Sequence, residues 1–249
     1  MKILLLDLET APNKGYFWGI WKQNINIDNI EEPGYTMCWA AKWHKKRGVM
    51  FGSMHQDGKD VMIEQVHKLL DEADAVVTYN GDKFDLPILN QEFAVRGMTP
   101  PSPYKTIDLL KTVRRKFRLT SNKLDYAAQY FGLGCKVKHK GMSLWHECMA
   151  GEDKAWRQME TYNRRDVTLL EDLYRFLLPW IPNHPNHGVF VNSTKPVCPN
   201  CGSRKMQKRG FDYTKTLKYQ RYQCQGCGKW SRARLNCSTP EDKEHVLVG

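Results

Sequence analysis

Short apolar runs and helical periods alternate along the first 178 residues. The apolar positions between Val61 and Leu70 recur at the spacing of one helix face, which predicts a helix there. Four continuous apolar runs predict buried strands, at 2–8, 36–44, 49–54 and 75–79. Further helices are predicted at 87–96, 123–131 and 152–178. This order of elements predicts an α/β fold with a mixed sheet flanked by helices.

The chain divides where this pattern ends. Three prolines and one glycine fall between 179 and 188, which forbids a continuing helix. We therefore expect a large domain at 1–178, a linker at 179–194, a small module at 195–237 and a tail at 238–249. His184 and His187 are interpreted as surface or linker residues.

The positive charge is concentrated in the small module. The 249-residue chain has a formal net charge of +11, and residues 195–235 contain 11 basic residues and one acidic residue, a net charge of +10. Such a density of Lys and Arg favours a polyanionic partner, since each phosphate contact releases condensed counterions. Nucleic acid is the predicted partner.

A membrane location is not expected. The longest aliphatic run, 3–6, is far too short to span a bilayer, and the N-terminus lacks the apolar stretch and cleavage site of a secretory signal. Four cysteines in two C-x-x-C pairs also suit a reducing compartment better than a disulfide framework. These features predict a cytoplasmic protein.

Four carboxylates and one tyrosine form the candidate catalytic set. Asp7 and Glu9 are two apart on the first strand and share a face, which is costly unless a cation lies between them. Asp85 follows the fourth strand at a helix start, and Tyr162 and Asp166 are four apart on a long helix. Oxygen ligands of this kind suit Mg²⁺ or Mn²⁺, and two such ions support phosphoryl displacement. Taken singly, each acid has a simpler interpretation as a solvated strand end, a helix cap or an exposed helix face.

The order of these motifs resembles the DEDD 3′–5′ exonuclease superfamily, in the subgroup with a Tyr-x-x-x-Asp third motif. Asp-Leu-Glu-Thr at 7–10 matches the first motif, and 79–87 is similar to the second motif of family-B DNA polymerase proofreading domains. Residues 121–129 resemble the helix between the second and third motifs of those domains. The chain is also similar to stand-alone phage exonucleases, which implies a host cytoplasm. The resemblance implies a ribonuclease-H-like fold and release of nucleoside 5′-monophosphates.

The same resemblance implies a role for each matched residue. Asp7, Glu9 and Asp166 would hold two Mg²⁺ or Mn²⁺ ions, with Asp7 bridging them, and Asp85 would bind the second ion directly or through water. Tyr162 would orient or help deprotonate the attacking water. Two further residues, Asn80 and Phe84, would contact the terminal nucleotides. DNA is the expected substrate because the second motif is similar to proofreading domains, with RNA as the alternative.

The small module carries a second metal motif. Two C-x-x-C turns, each followed by glycine, can present four thiolates to one structural Zn²⁺, as in a zinc ribbon. A redox pair or a disulfide is the alternative interpretation. Basic and aromatic residues crowd the second turn and are expected to bind nucleic acid, in particular Arg221, Trp230 and Arg232. The cysteine ligands would be Cys198, Cys201, Cys224 and Cys227.

Three other features have two interpretations each. The aromatic run 16–21 could stack unpaired bases, but we expect core packing. Asp108 is either a fifth acid of the site or a helix cap. The basic residues of 111–118 form either a solvated face or part of a substrate groove.

The sequence thus predicts a metal-dependent 3′–5′ exonuclease whose zinc ribbon holds the substrate. A structure-selective endonuclease with the same metal site is one alternative. A non-catalytic nucleic-acid-binding adaptor is the other, although the presence of all four carboxylates and Tyr162 argues against it.

Overall fold

A computed structural model describes residues 1–22 and 24–247 of the chain. The chain forms two compact units, one of residues Lys2–Leu173 and one of Tyr174 onwards together with Met1. Among the described residues, no helix combines the length and the apolar character that a membrane span requires.

The first unit contains seven strands and seven α-helices among its described residues, with one 3-10 turn at Ile27–Asn29. The strands are β1 Ile3–Thr10, β2 Lys14–Gly15, β3 Ile30–Glu32, β4 Thr36–Trp43, β5 Met50–Ser53, β6 Ala75–Thr78 and β7 Lys105–Asp108. The helices are α1 Met54–Asp57, α2 Lys59–Glu72, α3 Asp85–Val95, α4 Leu109–Lys116, α5 Leu124–Tyr130, α6 Met142–Met149 and α7 Asp153–Leu177, whose last residues belong to the second unit.

Five of these strands form one mixed sheet, in the order β5-β4-β1-β6-β7. β1 is central, antiparallel to β4 and parallel to β6, and β7 continues the parallel part. Leu4, Leu6 and Leu8 of β1 pack in one core cluster with α2 and α3. The neighbouring strand β4 contributes Met37 and Cys38 to a second cluster with α6 and α7. Two helical layers therefore cover the sheet, which confirms the predicted fold class.

The predicted strands and helices correspond to observed ones, with ends that differ by one or two residues. In the first unit, the sequence pattern gave no range for β2, β3, β7, α1, α4 or α6. One expectation about packing was wrong, because the run 16–21 does not enter the core. Its aromatic side chains are exposed on the segment between β2 and β3.

The second unit is a three-stranded antiparallel sheet with two cysteine turns at its base. Its strands are β8 Met206–Tyr213, β9 Lys218–Cys224 and β10 Trp230–Asn236, in the order β10-β9-β8, and α8 Pro240–Glu244 follows. His184, interpreted from the sequence as a surface or linker residue, is not at the surface: it is buried and its Nε2 is 2.7 Å from Tyr174 Oη. Asn200 Nδ2 donates to the carbonyls of Leu178 and Ile181, which fixes the chain just after α7 against the first turn.

Candidate active site

The strand β1 positions the first two acids. Its leucines at alternate positions pack on the α2–α3 side, so Asp7 and Glu9 point to the opposite face, the one that α7 covers. Glu9 is opposite Cys38 of β4, which packs in the cluster with α7. The alternation of one strand thus places two carboxylates beneath a helix.

Three carboxylates meet at this point. One oxygen from each of Asp7, Glu9 and Asp166 lies within 4.8 Å of the others, and we call these three residues the acidic cluster. Asp85 begins α3, is buried, and its Oδ1 accepts a 3.0 Å hydrogen bond from the backbone N of Leu8. Asp85 is near enough to raise the pKa of Asp7 and of Glu9 by charge repulsion. The structure therefore brings all four predicted acids to one site.

The turn before Asp85 has a specific local cause. Asn80 has φ +70°, a conformation that asparagine tolerates better than most residues, and its backbone N donates to Asp108 Oδ1 at 2.9 Å. A Cβ at Gly81 would lie 2.4 Å from the Thr78 side chain, so only glycine fits there. This tight turn carries the chain from the end of β6 into α3 and its first residue, Asp85.

Burial and mutual repulsion disfavour negative charge at this site. Burial raises the pKa of Asp7 well above its ordinary value, and repulsion from Glu9 adds to that effect. Burial and the Asp166 charge raise the pKa of Glu9 to about 8, and burial raises the pKa of Asp85 to about 7. A cation at the site would relieve both effects.

Lys136 supplies one positive charge. Its Nζ lies 2.5 Å from Asp166 Oδ2 and 3.1 Å from Tyr162 Oη. Burial acts to lower the pKa of Lys136, but the charges of Asp166, Tyr162 and Asp7 and the hydrogen bond to Asp166 together outweigh it, so the pKa is raised and the side chain stays an ammonium. Burial in turn raises the pKa of Tyr162, which keeps its phenol protonated.

Asn163 lies behind the first acid. Its Nδ2 donates a 2.7 Å hydrogen bond to Asp7 Oδ2, and the Asn163 side chain is fully buried. Cys38 Sγ is 3.9 Å from Asn163 Oδ1 on the other side. The amide therefore restricts the orientation of the Asp7 carboxylate.

The donor set fits a divalent cation. The acidic cluster offers carboxylate oxygens, from a buried Asp166 and a half-buried Asp7 and Glu9, and such oxygens are the ligands that Mg²⁺ and Mn²⁺ prefer. Asp166 Oδ1 is buried and, among the residues that the structure describes, has no hydrogen-bond partner. Such a buried acceptor is costly unless a cation or a donor satisfies it.

The remaining residues that the sequence singled out in this unit lie outside the acidic cluster. Phe84 directly precedes Asp85 and is partly exposed. Asp108 accepts from the backbone N of Leu110 as the cap of α4, which favours the capping role over that of a fifth acid. The basic residues Lys111, Arg114, Arg115 and Lys116 are exposed on α4, as both the solvated-face and the substrate-groove interpretations require.

A ring cage around Tyr162 was missed by the sequence analysis. The ring of His139 packs edge-on at 4.8 Å, and that of Trp145 at 6.2 Å. Lys136 was missed with them, since it lies in an irregular segment between α5 and α6 with no periodic signal. Asn163 could have been found from the sequence, because it lies inside the Tyr-x-x-x-Asp motif, on the buried face of α7.

The cysteine turns form a second candidate site in the unit that begins at Tyr174. All four Sγ atoms lie within 4.8 Å of one another, and none of the described cysteines is in a disulfide. Gly202 and Gly228 close the turns with φ +76° and +80°, as the sequence predicts. Four thiols this close suit a tetrahedral metal site. The ligand atoms come from Cys198, Cys201, Cys224 and Cys227.

One face of the adjoining sheet alternates arginine and aromatic rings. The Arg221 guanidinium lies 5.1 Å from the Trp230 ring centre, and that of Arg232 lies 4.3 Å from the ring of Tyr219. Arg232 Nη1 also donates to Asp212 Oδ2 at 2.9 Å. Arg221 and Arg232 are opposite each other in the β9–β10 ladder. The three predicted nucleic-acid-binding residues therefore share one face.

The fold and the acidic cluster define a class of protein. It is an α/β domain in which the central strand of a mixed sheet and a helix packed on it bring acidic side chains together. A model of the RNase_H_2 family, part of the RNase_H superfamily, matches residues 36–178. The chain belongs to this family. The matched range contains Asp85, Tyr162 and Asp166 and begins after β1.

One solved structure with a similar fold is the family B DNA polymerase of the hyperthermophilic archaeon Pyrobaculum calidifontis. The two chains share 18% identity with a TM-score of 0.54, and the match covers 72% of this chain and 24% of the polymerase. The chain thus spans about a quarter of the polymerase length. A search of curated proteins finds no match. The family assignment and the acidic cluster together support a nuclease.

Proposed function

We propose that the protein is a divalent-metal-dependent 3′–5′ exonuclease that removes nucleotides from the end of a nucleic-acid strand, with DNA as the expected substrate. The observation that carries this proposal is the convergence of Asp7, Glu9 and Asp166 within 4.8 Å, next to Tyr162. The family assignment supports nuclease chemistry. The direction of cleavage rests on the motif resemblance.

The acids of the site would hold two Mg²⁺ or Mn²⁺ ions. Asp7, at the centre of the repelling carboxylates, is the expected bridge, with Glu9 and Asp166 on either side and Asp85 as a further ligand. When bound, such ions activate a water and stabilise the attacking and leaving oxygens of the phosphodiester.

The protein's own side chains orient the reactants. The phenol of Tyr162 is protonated, so we expect it to hold the attacking water by a hydrogen bond. Lys136 Nζ bridges Asp166 and Tyr162 Oη, which fixes both groups and places a positive charge beside the acidic cluster, where it would stabilise a bound phosphate. Asn80 and Phe84, on the turn before Asp85, would contact the terminal nucleotides.

The basic module would hold one structural Zn²⁺ and bind the nucleic-acid strand. Its four converging thiols support the zinc assignment, and the face with Arg221, Trp230 and Arg232 supports strand binding. Metal analysis of the purified chain should give about one zinc per molecule. Cys227→Ser should lose the zinc, whereas Cys237→Ser, at an exposed cysteine outside the cluster, should keep it.

The activity is tested with 5′-labelled and 3′-labelled single-stranded DNA and RNA, incubated with Mg²⁺ or Mn²⁺. We expect the 5′-labelled strand to shorten one nucleotide at a time and the 3′ label to appear early as a mononucleotide. Asp7→Asn should abolish cleavage. Glu64→Gln, an exposed acid on α2, is the matched control and should retain it.

Each other result contradicts part of the proposal. Discrete internal fragments would identify an endonuclease with the same metal site. Tight binding without cleavage by the unmodified chain would identify a binding adaptor. Faster digestion of the RNA strand would leave the exonuclease in place and overturn DNA as its substrate.

A further inference from the structure

The segment 16–21 exposes an unusual amount of aromatic surface, and we call it the aromatic loop. Trp18 is fully exposed, at 103%, and Tyr16, Phe17 and Trp21 are 72%, 53% and 82% exposed. Soluble domains rarely leave several large apolar side chains in one exposed patch unless it binds something. These side chains contribute little to the core, so their role lies in recognition.

The aromatic loop is tied to the strand that carries the acidic cluster. Ala11 N bonds to Tyr35 O at 2.9 Å directly after β1, and Tyr16 N bonds to Asn29 O at 2.9 Å beside the short β2–β3 pair. Tyr16 is seven residues from Glu9, and an extended chain covers at most about 3.5 Å per residue, so the loop begins within about 25 Å of that carboxylate. A strand whose end lies at the acidic cluster can reach it.

The charge around the loop favours bases over phosphates as the ligand. Lys14, at the base of the loop, is paired with both Glu31 and Glu32, at 3.3 and 3.4 Å. Residues 14–32 contain two lysines, Lys14 and Lys22, against three acidic residues, so this segment has no excess of positive charge to follow a phosphate backbone. Four of the five large side chains of the loop are aromatic rings, and flat rings stack on unpaired bases regardless of sequence.

We propose that the aromatic loop stacks the unpaired bases of the substrate strand, which makes single-stranded or frayed nucleic acid the preferred substrate class. This inference rests on the proposed nuclease function and adds a base-binding site to it. Recognition at this site is independent of base sequence. It complements the basic face of the cysteine module, which would bind the backbone.

The test measures equilibrium binding of two fluorescent 12-mers, oligothymidine and an abasic strand with the same phosphates, in the Asp7→Asn background. Trp18→Ala and Trp21→Ala should each weaken oligothymidine binding by roughly 5- to 150-fold and leave abasic-strand binding unchanged. Trp18→Phe keeps a ring and should retain most of the affinity. Tyr130→Ala removes another exposed aromatic side chain, on α5, and should have no effect.

The outcomes separate this proposal from the proposed function. Equal losses on both strands, or no loss on either, would overturn base stacking even if the unmodified chain cleaves. A tryptophan variant that binds oligothymidine normally but changes the molecular mass in sedimentation would show that the loop contacts a second copy of the chain. If the unmodified chain does not cleave, a loss confined to oligothymidine would still support the base-binding site.

Discussion

The contact between Asn163 and Asp7 can be tested by removing one side chain. Asn163→Ala deletes the 2.7 Å hydrogen bond to Asp7 Oδ2 and leaves the four carboxylates and Tyr162 in place. Without this amide, the carboxylate can rotate away from the orientation that the acidic cluster requires. Asn163 is thus a positioning residue, and its loss should reduce divalent-metal affinity.

The expected size follows from the contact. A hydrogen bond to a charged group contributes about 1.5–3 kcal/mol, and 1.4 kcal/mol corresponds to a factor of ten. Removing a group behind a metal ligand typically costs about 10- to 100-fold in metal affinity or activity. We therefore expect Asn163→Ala to weaken Mn²⁺ binding by about 10- to 100-fold, with activity partly restored at high Mn²⁺ concentration.

Mn²⁺ is titrated into each variant, and its affinity is obtained from the electron paramagnetic resonance signal of the free ion. The kcat/KM for cleavage is measured at each Mn²⁺ concentration. Asn200→Ala is the matched control, since Asn200 is also buried and donates two hydrogen bonds, in the cysteine module. That control should lower the unfolding temperature and leave Mn²⁺ affinity unchanged. A folded Asn163→Ala protein with unchanged Mn²⁺ affinity, or equal losses in both variants, would refute the positioning role.

Three further predictions concern other groups. Tyr162→Phe keeps the ring in its cage and removes the hydroxyl, so kcat should fall about 100-fold with little change in unfolding temperature, and an unchanged kcat would remove the phenol from the mechanism. Burial raises the pKa of Glu9 from 4.5 to about 8, so the folded state holds a proton that the unfolded chain releases. Without added divalent metal, thermal stability should therefore fall as the pH rises from about 5 to about 8, and Glu9→Gln should flatten that slope; a rise would contradict the assignment. Arg221→Gln should lower the salt slope of single-strand binding by about 0.7, whereas Arg47→Gln, on an exposed turn, should not, and equal slopes would count against the basic face.

Burial on both faces explains which strands could be predicted. β1, β4 and β6 are apolar along nearly their whole length because helices cover both sides of the sheet, so their sequences identify them without knowledge of their partners. β7 has the sequence Lys-Thr-Ile-Asp, and its first two residues are exposed. Pairing with β6 makes it a strand, and that contact is not visible in the local sequence.

The same distinction applies to the candidate site. The four acids and Tyr162 stand in short motifs, so their spacing reveals them. Lys136 reaches Asp166 from an irregular segment 30 residues away, and a distance of that kind is set by tertiary structure. For the aromatic loop the sequence predicted core packing, because aromatic side chains are buried on average. The structure instead exposes these rings.

The charges of the site favour two divalent ions once a phosphate is to be bound. Asp7, Glu9, Asp85 and Asp166 carry four negative charges when ionised, and Lys136 neutralises one of them. One divalent ion would leave the site negative, which would repel a phosphodiester. Two ions would leave it with a small positive charge, which would attract one. Because Lys136 contacts only Oδ2 of Asp166, the buried Oδ1 can serve as a ligand while the ammonium stays in place. Under the proposed function, Lys136 and the metals would therefore act together in drawing the substrate phosphate to the acidic cluster.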